Sequence, residues 1–144
     1  MIEVISFTYD NKTLSALSAK IRQKVFVEEQ NVDPALEYDG NDPGATHYLC
    51  YYNRIPVGTA RWRRTTNGVK LERFAILPPY RNLKIGRELL DFVLNDVKKV
   101  SGKIYLHAQE KAVNYYLRAG FAIVGEAFYE AGIKHYKMIL SKRP

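Results

Sequence analysis

The sequence predicts an α+β, or mixed α/β, fold in a single domain. Three observations carry this. Short apolar or alternating stretches bounded by turn residues recur at 2–8, 47–52, 57–64 and 69–77, as strands do. Two longer stretches, at 12–27 and 85–100, place apolar residues at helical spacing. A strand, an amphipathic helix and another strand then follow in sequence through 69–108, a step that implies at least one parallel pairing in a mixed sheet. The 144 residues are enough for one core, burying roughly two-thirds of the unfolded surface.

Each element has a local reason. Ile2 to Thr8 alternates in the strand manner, and Lys12 to Val27 carries Leu14, Leu17, Ile21 and Val25 on one helical face. From Glu28 to Thr46, acids mix with Pro34, Gly40, Pro43 and Gly44, which predicts a long, partly irregular connection. The turn Asn53-Arg54-Ile55-Pro56 and the signal Thr66-Asn67-Gly68 divide the next segment into a three-strand antiparallel meander. Ile85, Leu89, Val93, Val97 and Val100 form an apolar stripe opposed by charged residues, and Ser101-Gly102 ends that helix. Lys103–Ala108 is strand-like and Glu110–Ala119 helical, with Gly120 suited to a left-handed stop. Strands at Phe121–Phe128 and Ile133–Leu140, joined through Ala131-Gly132, complete the chain.

Composition is that of a globular protein, with 47% hydrophobic and 26% charged residues, which excludes a disordered or fibrous chain. The start MIEVISFTYD has no secretory pattern, and no stretch approaches the ~20 apolar residues of a membrane span. A cytoplasmic location without membrane contact is expected. Cys50 stands alone and reads as a core side chain. The net charge is +7, but its distribution is lopsided. Glu28, Glu29, Asp33, Glu37, Asp39 and Asp42 form an acidic region, and Arg61, Arg63, Arg64, Lys70, Arg73, Arg81, Lys84 and Arg87 a basic one. The pattern fits two ligands of opposite charge.

The stretch LERFAILPPYRNLKIGRELL, Leu71 to Leu90, runs a strand through a Pro-Pro corner into a basic helix start. Unpaired N–H groups and the helix dipole make such an end receptive to phosphate. A second segment, Asn114 to Phe121 (NYYLRAGF), closes a tyrosine-bearing helix on glycine. Together they suggest an enzyme holding a phosphate-rich carrier.

On these residues, Arg81-Asn82-Leu83-Lys84-Ile85-Gly86 between strand and helix with Tyr116-Leu117-Arg118-Ala119-Gly120-Phe121 downstream, the chain resembles the GNAT superfamily of acyl-CoA N-acyltransferases. VFVEEQNVD, followed by Glu37, Asp39, Asp42 and His47, resembles its ElaA-like and YjcF-like subgroup. The resemblance covers nearly the whole chain. It implies a splayed, mostly antiparallel sheet flanked by helices, and acetyl-CoA or a related acyl-CoA as cosubstrate without a metal. It further implies a diphosphate held by the N–H groups of Arg81, Asn82, Leu83, Lys84, Ile85, Gly86 and Arg87. The pantetheine arm would lie beside Ala75, Ile76 and Leu77, and Asn114 would touch the carrier.

Lys84 replaces a glycine of the superfamily pattern. A helical backbone is expected there, since lysine retains the N–H that a diphosphate needs.

An amine acceptor with a pKa near 10.4 must shed a proton, at about 4.6 kcal/mol at neutral pH, so a base is useful. Resemblance puts Glu72 in that role, with Glu28, Asp39 and His47 as rivals. It gives Tyr116, four residues before Gly120, the part of general acid toward the carrier's thiolate. Unperturbed tyrosine is about 2 kcal/mol too weak an acid for full transfer, which points to hydrogen-bond donation. Packing of Tyr116 and a solvated Asn114 are the bland alternatives. Glu28, Asp39, Asp42 and His47 are expected at the acceptor mouth, favouring a cationic small molecule or peptide. Spaced as they are, Asp39, Asp42 and His47 match no tight metal site. Nucleic acid is disfavoured, because the eleven tyrosines are spread as cores use them. Two readings stay open beside the enzyme: a basic nucleic-acid-binding module and an acyl-CoA sensor. Edge strands leave room for a homodimer.

Overall fold

In the computed structural model, which describes residues 1–141, the strands join into one sheet. They are β1 (Ile2–Thr8), β2 (Thr46–Tyr52), β3 (Ile55–Thr65), β4 (Gly68–Ile76), β5 (Ile104–Gln109), β6 (Phe121–Ile123), β7 (Phe128–Glu130) and β8 (Ile133–Leu140). The order is β1-β2-β3-β4-β5-β8-β6, with β7 paired to β8. Every pairing is antiparallel except β4 with β5. The predicted meander and the single parallel step are both present.

Tight turns set the hairpins. Asn53 and Arg54 both take positive φ, 48° and 69°, and so do Ala131 and Gly132, 52° and 75°, as two-residue hairpin turns require. The first turn is shorter than the sequence implied, and Pro56 is already in β3, opposite Tyr51.

Helices cover both faces. α1 (Lys12–Arg22) begins at Asn11, whose side chain accepts from the Leu14 N–H at 3.1 Å. The predicted continuation to Val27 widens into a π-helical turn, Gln23–Glu29, closed by the Gln30 N–H on the Val25 carbonyl at 3.1 Å. Ile21, Val25 and Phe26 bury against Phe7, Leu49 and Ala75 on one face. On the other, α3 (Ile85–Val97) contributes Ile85, Leu89, Val93 and Val97, and α4 (Val113–Arg118) contributes Tyr116, to a cluster with Val57, Leu71, Leu106 and Met138.

Several boundaries differ from the sequence reading. The stretch expected to be helical from Glu110 opens with a 3-10 turn, Glu110–Ala112, and α4 follows. The expected strand Phe121–Phe128 is two short pieces, because Gly125 at φ 80° breaks it. The long connection contains α2 (Pro34–Glu37), N-capped by Asp33. No helix among the described residues is long and apolar enough to cross a membrane.

β4 and β5 part company early. Their ladder ends at Leu71–Leu106, while β4 continues to Ile76 and β5 to Gln109, so the two strands bound a cleft. Just there β4 carries a bulge: Thr59 to Arg61 on β3 faces Ala75 to Glu72 on β4, one residue longer. Arg73 takes φ 58° within it. The extra residue turns Ala75 to the α1 face and sends Phe74 and Ile76 toward α3 and α4.

Candidate active site

The corner ahead of α3 is built by Pro78–Tyr80, a 3-10 turn, and by Arg81 to Lys84. The first bond of the helix runs from the Glu88 N–H to the Lys84 carbonyl at 3.2 Å. The N–H groups of Ile85, Gly86 and Arg87 therefore precede the helical ladder. Lys84 is not helical as expected: it takes φ 66°, ψ 9°, the left-handed conformation that glycine adopts most readily, at a cost of about 1 kcal/mol. Asn82 is also left-handed, φ 65°. Two left-handed residues thus stand within the turn that leads into α3, and Arg81 before them is extended.

A Cβ placed on Gly86 would lie 3.5 Å from the Tyr115 hydroxyl and 3.7 Å from Ile76 Cγ1, so the helix start abuts both α4 and β4 at the cleft. Asn82, Leu83, Lys84 and Arg87 are exposed. Two expected contacts are taken within the chain. The Arg81 N–H bonds Pro78 O at 3.2 Å, closing the turn, and the Leu77 N–H bonds Val57 O of β3 at 2.9 Å, extending the β3–β4 pairing. The Arg81 side chain donates to Ile76 O at 2.9 Å and, through both terminal nitrogens, to Glu29 at 2.7 Å each. Ala75 is buried beneath α1, and Asn114 is exposed at the start of α4.

Tyr116 stands edge-on to Phe74 at 6.4 Å, Phe121 at 5.8 Å and Tyr115 at 5.1 Å. Through Phe74 it touches β4 immediately after the bulge. Burial, with the neighbouring Tyr115, pushes its hydroxyl well above the ordinary tyrosine value. Tyr115 is pushed up to about 12, mainly by burial.

The acidic and basic regions do not face separate ligands; they fold onto each other. Arg22 pairs with Glu37 and, at 2.7 Å, with Asp42. Arg61, 1% exposed, meets Asp42 at 2.6 Å, Asp39 at 2.7 Å and Glu72 at 3.0 Å. Arg73 holds Glu37 at 2.9 Å and Asp39 at 3.3 Å. Glu72 is also gripped by Arg63 at 2.7 Å and Lys70 at 3.2 Å.

This removes the expected base. Burial pushes the Glu72 carboxyl up, but hydrogen bonds from Arg63 and the charges of Arg61 and Lys70 outweigh it and hold it at about 2. A carboxylate of that strength with three cationic partners is a poor proton acceptor at neutral pH. Asp39 and Asp42 fare similarly: burial raises them, and bonds to Arg61, with Arg22 at Asp42, bring both below the ordinary aspartate value. His47 is 3% exposed, bonds the Asp42 carbonyl at 2.9 Å and stacks on Phe7, and burial lowers its pKa. Glu28 lies exposed on the π-helical turn. Asp39, Asp42 and His47 are thus committed to partners within the chain.

Sequence reasoning missed a second group across the cleft. His107 of β5 lies with Nδ1 3.1 Å from Glu130 Oε2, and His135 Nε2 lies 3.9 Å from Glu130 Oε1. Gln109 donates to Gln30 at 2.8 Å, tying the end of β5 to the end of the π-helical turn. A groove of about 390 Å³ runs between Glu29–Gln30 and Gln109, Ile133 and Lys134. Only the Ala131-Gly132 turn hinted that Glu130 closes a hairpin; nothing local announced its partner on β5.

With this geometry in place, comparison with known proteins assigns the family. Residues 7–142 match the acetyltransferase (GNAT) domain. The chain is 39% identical over 124 residues to YyaT of Bacillus subtilis, covering 83% of each. It is 32% identical over 125 residues to the B. subtilis N-acetyltransferase YjcF, covering 83% of this chain and 86% of that one. The crystal structure of Escherichia coli ElaA matches with TM-score 0.86 at 26% identity, covering 96% and 99%. Arabidopsis thaliana Naa50, in complex with the bisubstrate analogue CoA-Ac-MVNAL, matches with TM-score 0.71 at 29% identity over 96% and 99%. The parted strands, the corner ahead of α3 and these likenesses agree: the chain belongs to the GNAT family of acyl-CoA N-acyltransferases, in its ElaA-like and YjcF-like subgroup.

Proposed function

We propose that this protein transfers an acetyl group from acetyl-CoA to an amine of a small molecule or peptide, by direct attack of the amine on the thioester. The observation that carries the reading is the parting of β4 and β5 at Leu71–Leu106, beside a helix start whose first N–H groups are uncommitted to the helix. A coenzyme lying there would set its diphosphate against the N–H groups of residues 82–87. Its pantetheine arm would run along β4 beside Ala75, Ile76 and Leu77 in place of the missing strand. Asn114 would meet the carrier from α4.

In this pose the thioester lies near the bulge, where Phe74 meets Tyr116. Tyr116 serves as hydrogen-bond donor to the leaving sulfur. Its raised pKa makes complete proton transfer to a thiolate of pKa near 8.5 costlier than the ~2 kcal/mol of an unperturbed tyrosine, so donation is its main contribution. The acceptor needs an amine but no excess positive charge, because Asp39, Asp42 and Glu37 are already neutralised by Arg22, Arg61 and Arg73. Calorimetry with acetyl-CoA tests the reading, followed by thiol release with a panel of primary amines. Binding and amine-dependent release are expected; absence of acetyl-CoA binding overturns it.

A further inference from the structure

The face of the sheet turned away from α3 is only partly covered. The apolar cluster beneath α1 takes Phe7 of β1, Leu49 of β2 and Ala75 of β4, and among the described residues it includes nothing from β5 or β8. Beside that cluster, at the foot of the cleft, a row of side chains crosses the sheet. Arg63 of β3 is paired in register with Lys70 of β4, and Lys70 with Tyr105 of β5, one pair before the ladder ends at Leu71–Leu106. Leu71 and Leu106 point into the cluster with α3, so by alternation Lys70 and Tyr105 stand on the opposite face. Lys137 of β8 reaches over this row, with Nζ 5.3 Å from the centre of the Tyr105 ring.

The row carries more positive than negative charge. Glu72 is the acid beside it, and that one carboxylate serves Arg63 at 2.7 Å, Lys70 at 3.2 Å and the buried Arg61 at 3.0 Å. Arg63 and Lys70 keep 24% and 15% of their side chains exposed. Lys137 makes no ion pair among the described residues. The Tyr105 ring beneath it is fixed by its hydroxyl, 2.5 Å from Thr65 Oγ1. A second acid, Glu130, lies beyond the point where the strands part, 3.1 Å from His107 Nδ1. The face is thus polarised along the strands, with cations behind the parting and Glu130 ahead of it.

We infer that this row is a subsite for an anionic group, and that the acceptor is a small amine carrying a phosphate or a carboxylate. The inference rests on the acetyl-transfer reading and names the substrate class that reading leaves open. With the diphosphate at the start of α3 and the pantetheine arm between the strands, the amine approaches the thioester from this uncovered face. A molecule whose nitrogen stands where β4 and β5 part meets Lys70 and Arg63 two residues, or ~7 Å, back along the strands. Its anion takes charge-assisted hydrogen bonds from Lys137 and from those N–H groups of Lys70 and Arg63 that Glu72 does not use.

The test follows thiol release from acetyl-CoA with two matched pairs of amines, glucosamine 6-phosphate against glucosamine and 6-aminohexanoate against 6-aminohexanamide. In one pair or both, the anionic member is expected to exceed the neutral one in kcat/KM by about 10-fold or more, chiefly through KM, and the ratio should shrink as salt rises. A phosphate subsite shows in the first pair and a carboxylate subsite in the second. Lys137→Gln, which keeps a stem over Tyr105 but drops the charge, is expected to lower that ratio by about fivefold or more, and Lys137→Arg to preserve it. Equal kcat/KM within both pairs, a preference for the neutral members, or a ratio untouched by Lys137→Gln overturns the subsite. If wild type turns over none of these amines, the transfer reading is decided separately by calorimetric binding of acetyl-CoA, and the subsite by NMR. Amide resonances of Lys70, Tyr105 and Lys137 displaced by glucosamine 6-phosphate and not by glucosamine support it; unmoved resonances, or displacement confined to residues 82–87, overturn it.

Discussion

Arg81 and Glu29 form a two-pronged ion pair, 2.7 Å at each terminal nitrogen, that ties the corner ahead of α3 to the end of the π-helical turn. Both side chains are about one-third exposed, at 35% and 34%. Such a pair adds little to stability, about 0–1 kcal/mol, but it occupies a guanidinium at the corner proposed to hold the diphosphate. Glu29→Gln is therefore expected to leave the urea midpoint almost unchanged while tightening acetyl-CoA binding by roughly 2–5-fold, since the freed charge can turn to phosphate. Calorimetry at low and high salt checks this, and the gain should shrink with salt.

The buried network around Arg61 makes the fold acid-sensitive. Glu72 sits at about 2 in the folded chain against an ordinary 4.5, so the unfolded state binds its proton first as pH falls. Its contribution is fully present above pH 4.5 and is lost between there and about 2. Thermal melts across this window should show the decline, and Glu72→Gln should flatten it. The same variant should cost about 3 kcal/mol at pH 7, because Arg61 keeps its charge in a buried site with one counter-charge fewer.

Gly68 begins β4 at φ 133°, and a Cβ there would lie 2.2 Å from the Lys103 carbonyl oxygen, whose partner is the Val69 N–H. Neither backbone can yield without breaking the parallel entry of β4 beside β5. Gly68→Ala should destabilise by at least ~2 kcal/mol in urea titration, from backbone strain and the clash together.

Tyr116→Phe keeps the ring that packs on Phe74 and Phe121 and removes the hydroxyl. Turnover should fall about tenfold or more with little change in acetyl-CoA affinity. Unaltered turnover would assign Tyr116 to packing alone.

Where structure depends on neighbours along the chain, it was legible in the residues. The meander follows from Asn53-Arg54 and Thr66-Asn67-Gly68, α3 from its apolar stripe, and the end of α4 from Gly120, left-handed at φ 101°. The corner ahead of α3 was legible for the same reason, as a strand, a Pro-Pro break and a helix start in succession. Charge was not. The acids at 37–42 looked available to a cation until folding brought Arg22, Arg61 and Arg73 against them, a pairing set by sheet register and by α1 crossing it. The bulge at Arg73 and the left-handed Lys84 were likewise hidden, since neither residue prefers that backbone and only surrounding packing sustains it. His107 and Glu130, 23 residues apart, meet because β8 lies between β5 and β7. Local propensity and periodicity thus determined which elements form and where α3 begins, whereas long-range pairing decided which charged groups remain free for chemistry, because a side chain's proton affinity depends on what the whole fold places beside it.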